Sequence, residues 1–158
     1  MVVTVRITGV RAILKALRDV PPDANKALKD RTSTLTNVLA AKIRFAARAE
    51  GSQAAAIANT VKPRRDRVPA VQAGGSRRFG RHRSAAWEVL AASEFGQNRR
   101  SGWYAAPRFE GSTGRQFKPH LGRGSYWFFK TVEDNEREIG AAWLAVADDV
   151  VREFGRGA

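Results

Sequence analysis

The chain has 158 residues and a formal net charge of +13 at pH 7, with 28 Lys and Arg against 15 Asp and Glu. This length fits one domain, and a hydrophobic content of 43% is ordinary for a folded protein, which argues against wholesale disorder. The chain contains no cysteine, which excludes disulfides, thiolate zinc sites and cysteine nucleophiles, and no apolar run approaches the roughly 20 residues of a membrane helix.

The positive charge is concentrated in the middle of the chain. Residues 1–61 hold ten Lys and Arg against four Asp and Glu, residues 62–123 hold fourteen against four, and residues 124–158 hold four against seven. Such asymmetry favours contact with nucleic acid, with an acidic surface of another protein, or with a second copy of this chain. A genome that prefers arginine to lysine would also produce part of this excess, because 21 of the 28 basic residues are arginine.

The N-terminal part predicts one strand and two helices. Residues 2–8 (VVTVRIT) alternate apolar and polar positions, which predicts a strand with one buried side, and residues 10–20 have helical spacing. A long helix is expected from Asp23 to about Glu50, with Gly51 ending it. Its predicted buried stripe consists of Ala24, Leu28, Leu35, Val38, Leu39, Ile43 and Ala46.

A less regular region follows the long helix. Ser52 is the predicted N-cap of a short helical turn over 53–59 (QAAAIAN), and residues 62–67 (KPRRDR) and 68–75 (VPAVQAGG) predict two short strands or extended pieces. Pro63 and Pro69 favour edge positions for both, because proline cannot donate a hydrogen bond to a sheet. Residues 74–84 are then expected to form an extended basic loop.

The stretch 84–97 (SAAWEVLAASEFGQ) is the apolar segment between two basic, glycine-rich regions. It predicts a helix of about ten residues that is capped by Ser84 and ended by Gly96. Trp87, Leu90 and Phe95 are expected to lie in the core and to fix the bases of the two flanking loops. The second loop, residues 97–124, could contain a hairpin with arms at 102–109 and 115–118.

Residues 125–154 give the strongest helical pattern in the chain. Apolar residues recur there at steps of three, four and seven, and two of the four consecutive aromatic rings at 126–129 are expected to lie in the core. The full set of predicted core residues is Leu28, Leu35, Leu39, Trp87, Leu90, Phe95, Phe128, Val132, Ile139, Trp143 and Val146.

The sequence gives little support for catalysis. The carboxylates of the last helix have the spacing of a solvated face, Glu88 and Glu94 would not share a helix face, and the two histidines, His82 and His120, lie in basic stretches. We therefore expect no enzyme activity, no catalytic or metal-ligating residues, no cofactor and no small-molecule substrate.

Basic residues interleaved with aromatic ones suggest a binding surface instead. Such residues neutralise phosphates and stack on bases, but Arg, Trp and Tyr are equally enriched in protein–protein interfaces. No helix-turn-helix, zinc-finger or ribonucleoprotein motif is visible, so the sequence leaves both alternatives open. The predicted partner-binding residues are Arg77, Arg78, Phe79, Arg81, Arg83, Arg99, Arg100, Trp103, Tyr104, Arg108, Phe109, Arg115, Phe117 and Lys118.

The order of these features resembles the neck or tail-completion proteins of tailed bacteriophages, a head–tail connector family similar to the lambda-type minor tail protein Z group. The resemblance rests on the N-terminal strand that ends in Thr-Gly, the helix with the LKALRDVP pattern and the long Ala/Lys/Arg helix. It continues with the Glu94-Phe95-Gly96 element, the stretch 118–121 (KPHL) and a final helix at 127–154. The segment 50–54 (EGSQA) departs from the "DTG-x-L" turn of the family, and the basic loops look longer than usual.

The resemblance implies a single α+β domain, with long N-terminal and C-terminal helices packed on a small, mostly antiparallel β-sheet and with long basic loops. It implies a structural virion protein of the head–tail junction, made in the cytoplasm of the bacterial host, that joins the connector to the tail tube. The implied partners are other copies of the chain in a ring (a hexamer), portal, connector or head-closure proteins, tail terminator or tail tube proteins, and DNA passing through the lumen. The alternatives are a tail terminator that caps the tube and, from another class, a small basic nucleic-acid-binding protein.

Overall fold

The structure is a computed structural model that describes residues 1–6, 21–97 and 117–155. The helix predicted at 10–20 and nearly all of the hairpin predicted at 102–109 and 115–118 lie outside the described residues. The elements below are numbered in chain order.

Helix α1, Pro22–Glu50, forms as the sequence predicts, with proline in its first turn and Gly51 directly after it. Its buried face runs through Ala24, Leu28, Thr32, Thr36, Leu39, Ala40, Ile43 and Ala47. The predicted stripe is wrong at Val38, whose side chain is 45% exposed. The core-facing positions are taken instead by Thr32 and Thr36, and the Thr36 hydroxyl donates to the Thr32 carbonyl oxygen at 3.0 Å, which satisfies it without leaving the helix.

Helix α2, Ser52–Ile57, continues into a 3-10 turn, Ala58–Thr60, and the chain then enters a three-stranded antiparallel sheet. The predicted cap by Ser52 is wrong, because that residue is already helical and Gly51 precedes the helix. Strand β1 is Val2–Arg6, β2 is Lys62–Arg64 and β3 is Ala70–Gly74, in the order β1-β3-β2. Strand β2, which contains Pro63, is an edge strand as predicted. Strand β3 is central, which corrects the edge position expected from Pro69: that proline precedes the strand, so β3 keeps its hydrogen-bond donors.

Strands β4, Arg78–Phe79, and β5, Ser84–Ala85, pair within the region predicted as a basic loop and form a short hairpin. Helix α3, Ala86–Phe95, follows directly. The predicted cap by Ser84 is wrong, because that residue belongs to β5. The start of α3 is held instead by the Glu88 carboxylate, which accepts a 2.6 Å hydrogen bond from the backbone N–H of Ala85.

Helix α4, Phe128–Gly155, packs antiparallel against α1. The direction follows from two polar contacts across the pair, because Lys42 Nζ lies 3.0 Å from Glu138 Oε2, whereas Arg31 near the start of α1 pairs with Glu153 near the end of α4. Phe128, Ile139, Trp143 and Val150 of α4 are buried beneath these surface pairs.

The apolar interior forms two clusters. The larger lies among α1, α2, the sheet, α3 and the start of α4, and the smaller joins the first turns of α1 to the second half of α4 around Trp143. Seven predicted core residues are buried: Leu28, Leu39, Leu90, Phe128, Val132, Ile139 and Trp143. Four are only half-buried, namely Leu35, Trp87, Phe95 and Val146. Leu35 and Val146 pack at the margin of the smaller cluster.

The fold is α+β, with two long helices on a small antiparallel sheet, as expected. Two of the four consecutive rings, Trp127 and Phe128, are buried, while Tyr126 and Phe129 are half-buried. Across the described ranges, none of the helices is both long enough and apolar enough to cross a membrane.

Candidate interaction surfaces and the element that positions them

Glu94 is the buried acidic residue around which the middle and the end of the chain are joined. Its side chain is 1% exposed at the end of α3. One carboxylate oxygen accepts hydrogen bonds from the backbone N–H groups of Trp127 and Phe128, at 3.2 and 2.7 Å, and the other accepts from Phe129 at 2.8 Å. These N–H groups lie at the start of α4 and have no partner within the helix, so Glu94 serves as its N-terminal cap across 34 residues of sequence.

The ionisation of Glu94 reflects two opposed effects. Burial raises the pKa of its carboxyl above the usual value, because the charged form loses solvation. Hydrogen bonds from the N–H groups of Phe128, Phe129 and Trp127, and from the Ser125 side chain, favour the carboxylate and lower the pKa, and burial is the larger effect. The whole hydrogen-bonding capacity of this acid is directed at the protein itself, so it is not presented to a substrate.

The residues on either side of Glu94 bind the same helix start. Ser93 Oγ accepts a hydrogen bond from the indole Nε1 of Trp127 at 3.2 Å. The Phe95 ring stacks on Phe129, with centroids 5.9 Å apart. Three successive residues of α3 therefore fix the position and the direction of α4 by three different kinds of contact.

Gly96 allows the segment that precedes α4 to run directly alongside the end of α3. Its φ is +74°, and a Cβ at this position would lie 2.2 Å from the carbonyl oxygen of Pro119. Backbone hydrogen bonds join the two segments on either side, from Gln97 N–H to the Lys118 oxygen at 2.8 Å and from Leu121 N–H to the Phe95 oxygen at 3.1 Å. Only glycine combines this φ with this close approach.

Lys118, a predicted partner-binding residue, has contacts within the chain. Its ammonium group lies 2.7 Å from a carboxylate oxygen of Glu50 at the end of α1 and 5.0 Å from the centroid of the Tyr126 ring. Tyr126 in turn donates its hydroxyl to the Pro119 oxygen at 2.6 Å. Lys118 thus ties the segment 118–121 to α1, and the neighbouring Phe117 is half-buried.

The β4–β5 hairpin, residues 75–85, is the basic surface that the structure describes. Arg77, Arg78, Arg81 and Arg83 are exposed, and no Asp or Glu occurs between 75 and 85. The Arg77 guanidinium lies 5.3 Å from the centroid of Phe79, and the Arg78 side chain donates to the Arg83 carbonyl oxygen at 3.1 Å. Phe79 packs against the larger core cluster and anchors the hairpin.

The arginines of this hairpin are not neutralised within the part of the chain that the structure describes. The ion pairs found there involve residues of α1 and α4, together with Arg65 and Lys118. The hairpin therefore presents four guanidinium charges, beside His82, to solvent or to a partner.

The structure brings together the predicted binding residues Arg77, Arg78, Phe79, Arg81 and Arg83 on one hairpin, and places Phe117 and Lys118 apart from them, beside the end of α1. The remaining seven lie outside the described residues: Arg99, Arg100, Trp103, Tyr104, Arg108, Phe109 and Arg115. The sequence did not reveal the capping role of Glu94. Its one signal is an acid inside an apolar stretch, because a cap formed by a residue so far away in sequence leaves no local pattern.

Two further surfaces were not anticipated. The outward face of α1 exposes Phe45, whose side chain is 74% exposed, and the outward face of α4 exposes Leu144 and Val151.

Over the described ranges, histidine and acidic residues form no group of three or more that could hold a metal ion. Comparison with protein-family models, with curated proteins and with solved structures gave no match.

Proposed function

We propose that this chain is a structural subunit of the head–tail junction of a tailed bacteriophage, a neck or tail-completion protein that joins the connector to the tail tube through contacts between copies. Its location would then be the virion, and its activity would reside in surfaces rather than in a reactive site.

One observation carries this proposal. In the second half of the chain, the resemblance rests on three parts of the sequence. They are the Glu94-Phe95-Gly96 element, the stretch 118–121 and the last helix. They are in direct contact: the carboxylate caps the helix, the ring stacks on it, and the glycine lies against Pro119. These residues therefore form one structural unit, so the parts of the sequence that carry the resemblance also lie together in space.

The distribution of charge gives further support. Within the described residues the hairpin arginines have no acidic partner. Helix α4 carries seven acidic residues against three basic ones, and Glu138 and Glu153 among them pair with α1. Exposed carboxylates such as Glu136, Asp148 and Asp149 are left to complement a basic surface on a neighbour. A tail terminator, which caps the tube at the same junction, would use such surfaces in the same way and is the close alternative.

The proposal is tested by deleting the gene from the phage or prophage that carries it. The expected result is filled heads and separate tails in the electron microscope, and the added purified protein should restore joined particles. Tails of abnormal length would instead indicate the terminator role. Normal joined particles without the gene would overturn the proposal.

A nucleic-acid-binding protein is the second candidate, because four exposed arginines on one hairpin are suited to phosphates. Titration of the purified protein with duplex DNA at several salt concentrations distinguishes the two. Tight binding that falls steeply with salt, and that is lost on replacing Arg81 and Arg83 by Ser, would favour this candidate. We expect weak binding, because the hairpin presents no helix or ribbon long enough to enter a groove.

A further inference from the structure

The two long helices expose apolar stripes on their solvent faces. The α1 stripe consists of Val38, Ala41, Phe45 and Ala49, at steps of three and four residues, and all four side chains are exposed. Phe45 and Val38 are 74% and 45% exposed. A phenylalanine this exposed in the middle of a 29-residue helix is unusual, because burying its ring would contribute more than burying almost any other side chain.

A second group of exposed apolar residues, the α4 stripe, lies on α4, where Asp148 occupies the helical position between Leu144 and Val151. It consists of Ala141, Leu144, Ala145 and Val151, again exposed, with Leu144 at 45% and Val151 at 43%. These positions point away from the buried residues Ile139, Trp143 and Val150, so they contribute nothing to the core of the subunit.

The two stripes lie in surroundings of opposite charge. Helix α1 has six Lys and Arg against three Asp and Glu, with the exposed Arg48 next to its stripe, whereas α4 has three against seven, with Asp148 between Leu144 and Val151. Contact between two α1 stripes would bring like charges together, and so would contact between two α4 stripes. Contact between an α1 stripe and an α4 stripe pairs opposite charges and buries apolar surface on both sides.

We propose that a second copy of this chain is the partner: the α1 stripe of one copy docks on the α4 stripe of the next. Because the two stripes are different surfaces of one molecule, the contact is head-to-tail and leaves one stripe of each kind free in a pair, so it can continue into a ring. Each helix is about 42 Å long, which is enough for the roughly 800 Å² per partner that a stable interface needs.

This inference deepens the proposed function by naming the surfaces through which copies meet, and the two can fail separately. A chain that self-associates through these stripes but is absent from phage particles would contradict the head–tail role alone. A chain that joins heads to tails but never associates through the stripes would contradict this inference alone.

The test uses two single variants of the full chain, Phe45→Ser and Leu144→Ser, studied by analytical ultracentrifugation up to about 1 mM. The natural chain is expected to form species larger than a monomer. Each variant alone should associate at least about tenfold more weakly, because each loses one side of every contact. Both substitutions are at exposed positions, so the melting temperature should remain within a few degrees of that of the natural chain.

Mixing the two variants gives the decisive result. An equimolar mixture retains one intact α1 stripe, on the Leu144→Ser chain, and one intact α4 stripe, on the Phe45→Ser chain. The mixture should therefore form one-to-one pairs and nothing larger. Leu121→Ser is the matched control, since Leu121 is also 45% exposed but lies on neither helix, and it should associate like the natural chain.

Three results would overturn the inference. The first is a natural chain that stays monomeric over the whole concentration range, which would leave the stripes to another partner or to another segment of the same chain. The second is a variant mixture that stays monomeric although the natural chain associates, which would show that the α1 stripe of one copy does not dock on the α4 stripe of the next. The third is unchanged association of both single variants.

Discussion

At the scale of single residues, Glu94 fixes the position of the start of α4 against the end of α3. A buried carboxylate that accepts three backbone hydrogen bonds at a helix start satisfies donors that would otherwise be buried without partners. The sequence gives Glu94 no catalytic partner, and the structure gives it a structural role in holding the start of α4.

Removal of this carboxylate should destabilise the fold strongly. Glu94→Ala leaves three N–H groups of α4 without an acceptor and is expected to lower the free energy of unfolding by about 2–4 kcal/mol. Glu94→Gln should cost less, because the amide oxygen replaces one acceptor while its NH₂ group faces an N–H donor. Urea denaturation measures both, with Glu88→Ala as the control: that exposed acid caps α3 through one bond, and its loss should cost about 1 kcal/mol or less. Equal effects at the two positions would contradict the capping role.

The pH dependence of stability tests the ionisation of Glu94. Burial raises its folded pKa above the unfolded value of 4.5, so the folded state binds more protons between these two values. The contribution of Glu94 to stability is then greatest below pH 4.5 and falls as pH rises through the folded pKa. The stability advantage of the natural chain over Glu94→Gln should accordingly shrink from about pH 4 to pH 7. An advantage that grows over this range would show that the hydrogen bonds outweigh burial.

Alanine substitutions at Gly96 and Gly80 separate two costs to stability, that of a left-handed backbone and that of a close contact. Gly96→Ala introduces a Cβ 2.2 Å from the Pro119 oxygen at a φ of +74°, whereas Gly80, at +69°, has open space around it. Gly80→Ala should cost about 1 kcal/mol for the left-handed backbone alone. Gly96→Ala should cost at least about 2 kcal/mol more, because the segment 118–121 must move away. Thermal unfolding of the two variants compares them directly, and equal losses would contradict the close packing.

At the scale of elements, the two long helices and the helix at 86–95 were predictable because their apolar spacing persists over several turns, with Gly51 and Gly96 ending two of them. The edge position of β2 was also predictable from a local feature, because Pro63 cannot donate a hydrogen bond to a neighbouring strand. The central position of β3 was not, because strand order depends on contacts between β1 and residues some seventy positions later. The exposure of Val38 was also missed: local hydrophobicity cannot show that Thr32 and Thr36 occupy the core-facing positions instead.

The packing of α1 on α4 depends on Trp143. Its side chain is fully buried and its indole Nε1 donates to the Arg67 oxygen at 2.7 Å. Trp143→Ala is expected to lower the free energy of unfolding by about 3–5 kcal/mol through the cavity and the lost hydrogen bond. Chemical denaturation gives the value. Leu144→Ala, at the adjacent exposed position, is the control and should change stability by less than about 0.5 kcal/mol. A loss below about 1 kcal/mol for Trp143→Ala would contradict the packing described.

At the scale of the whole molecule, the candidate site was predictable in composition but not in arrangement. Arginines beside aromatic residues at 77–83 predicted a binding surface, and the structure gathers these residues on one hairpin. Lys118 belonged to the same compositional pattern but lies against Glu50, because the position of the stretch 118–121 is set by the end of α3. The stripes of α1 and α4 were not predicted, because apolar spacing on two faces of a helix does not show which face other elements cover.

The most direct test of the head–tail assignment is a cryo-electron microscopy reconstruction of the phage particle that carries this gene. We expect several copies of the fold between the head and the tail tube, with the β4–β5 hairpin at a contact and Phe45 of one copy against Leu144 of the next. Particles whose head–tail junction contains no copy of this chain would contradict the head–tail assignment.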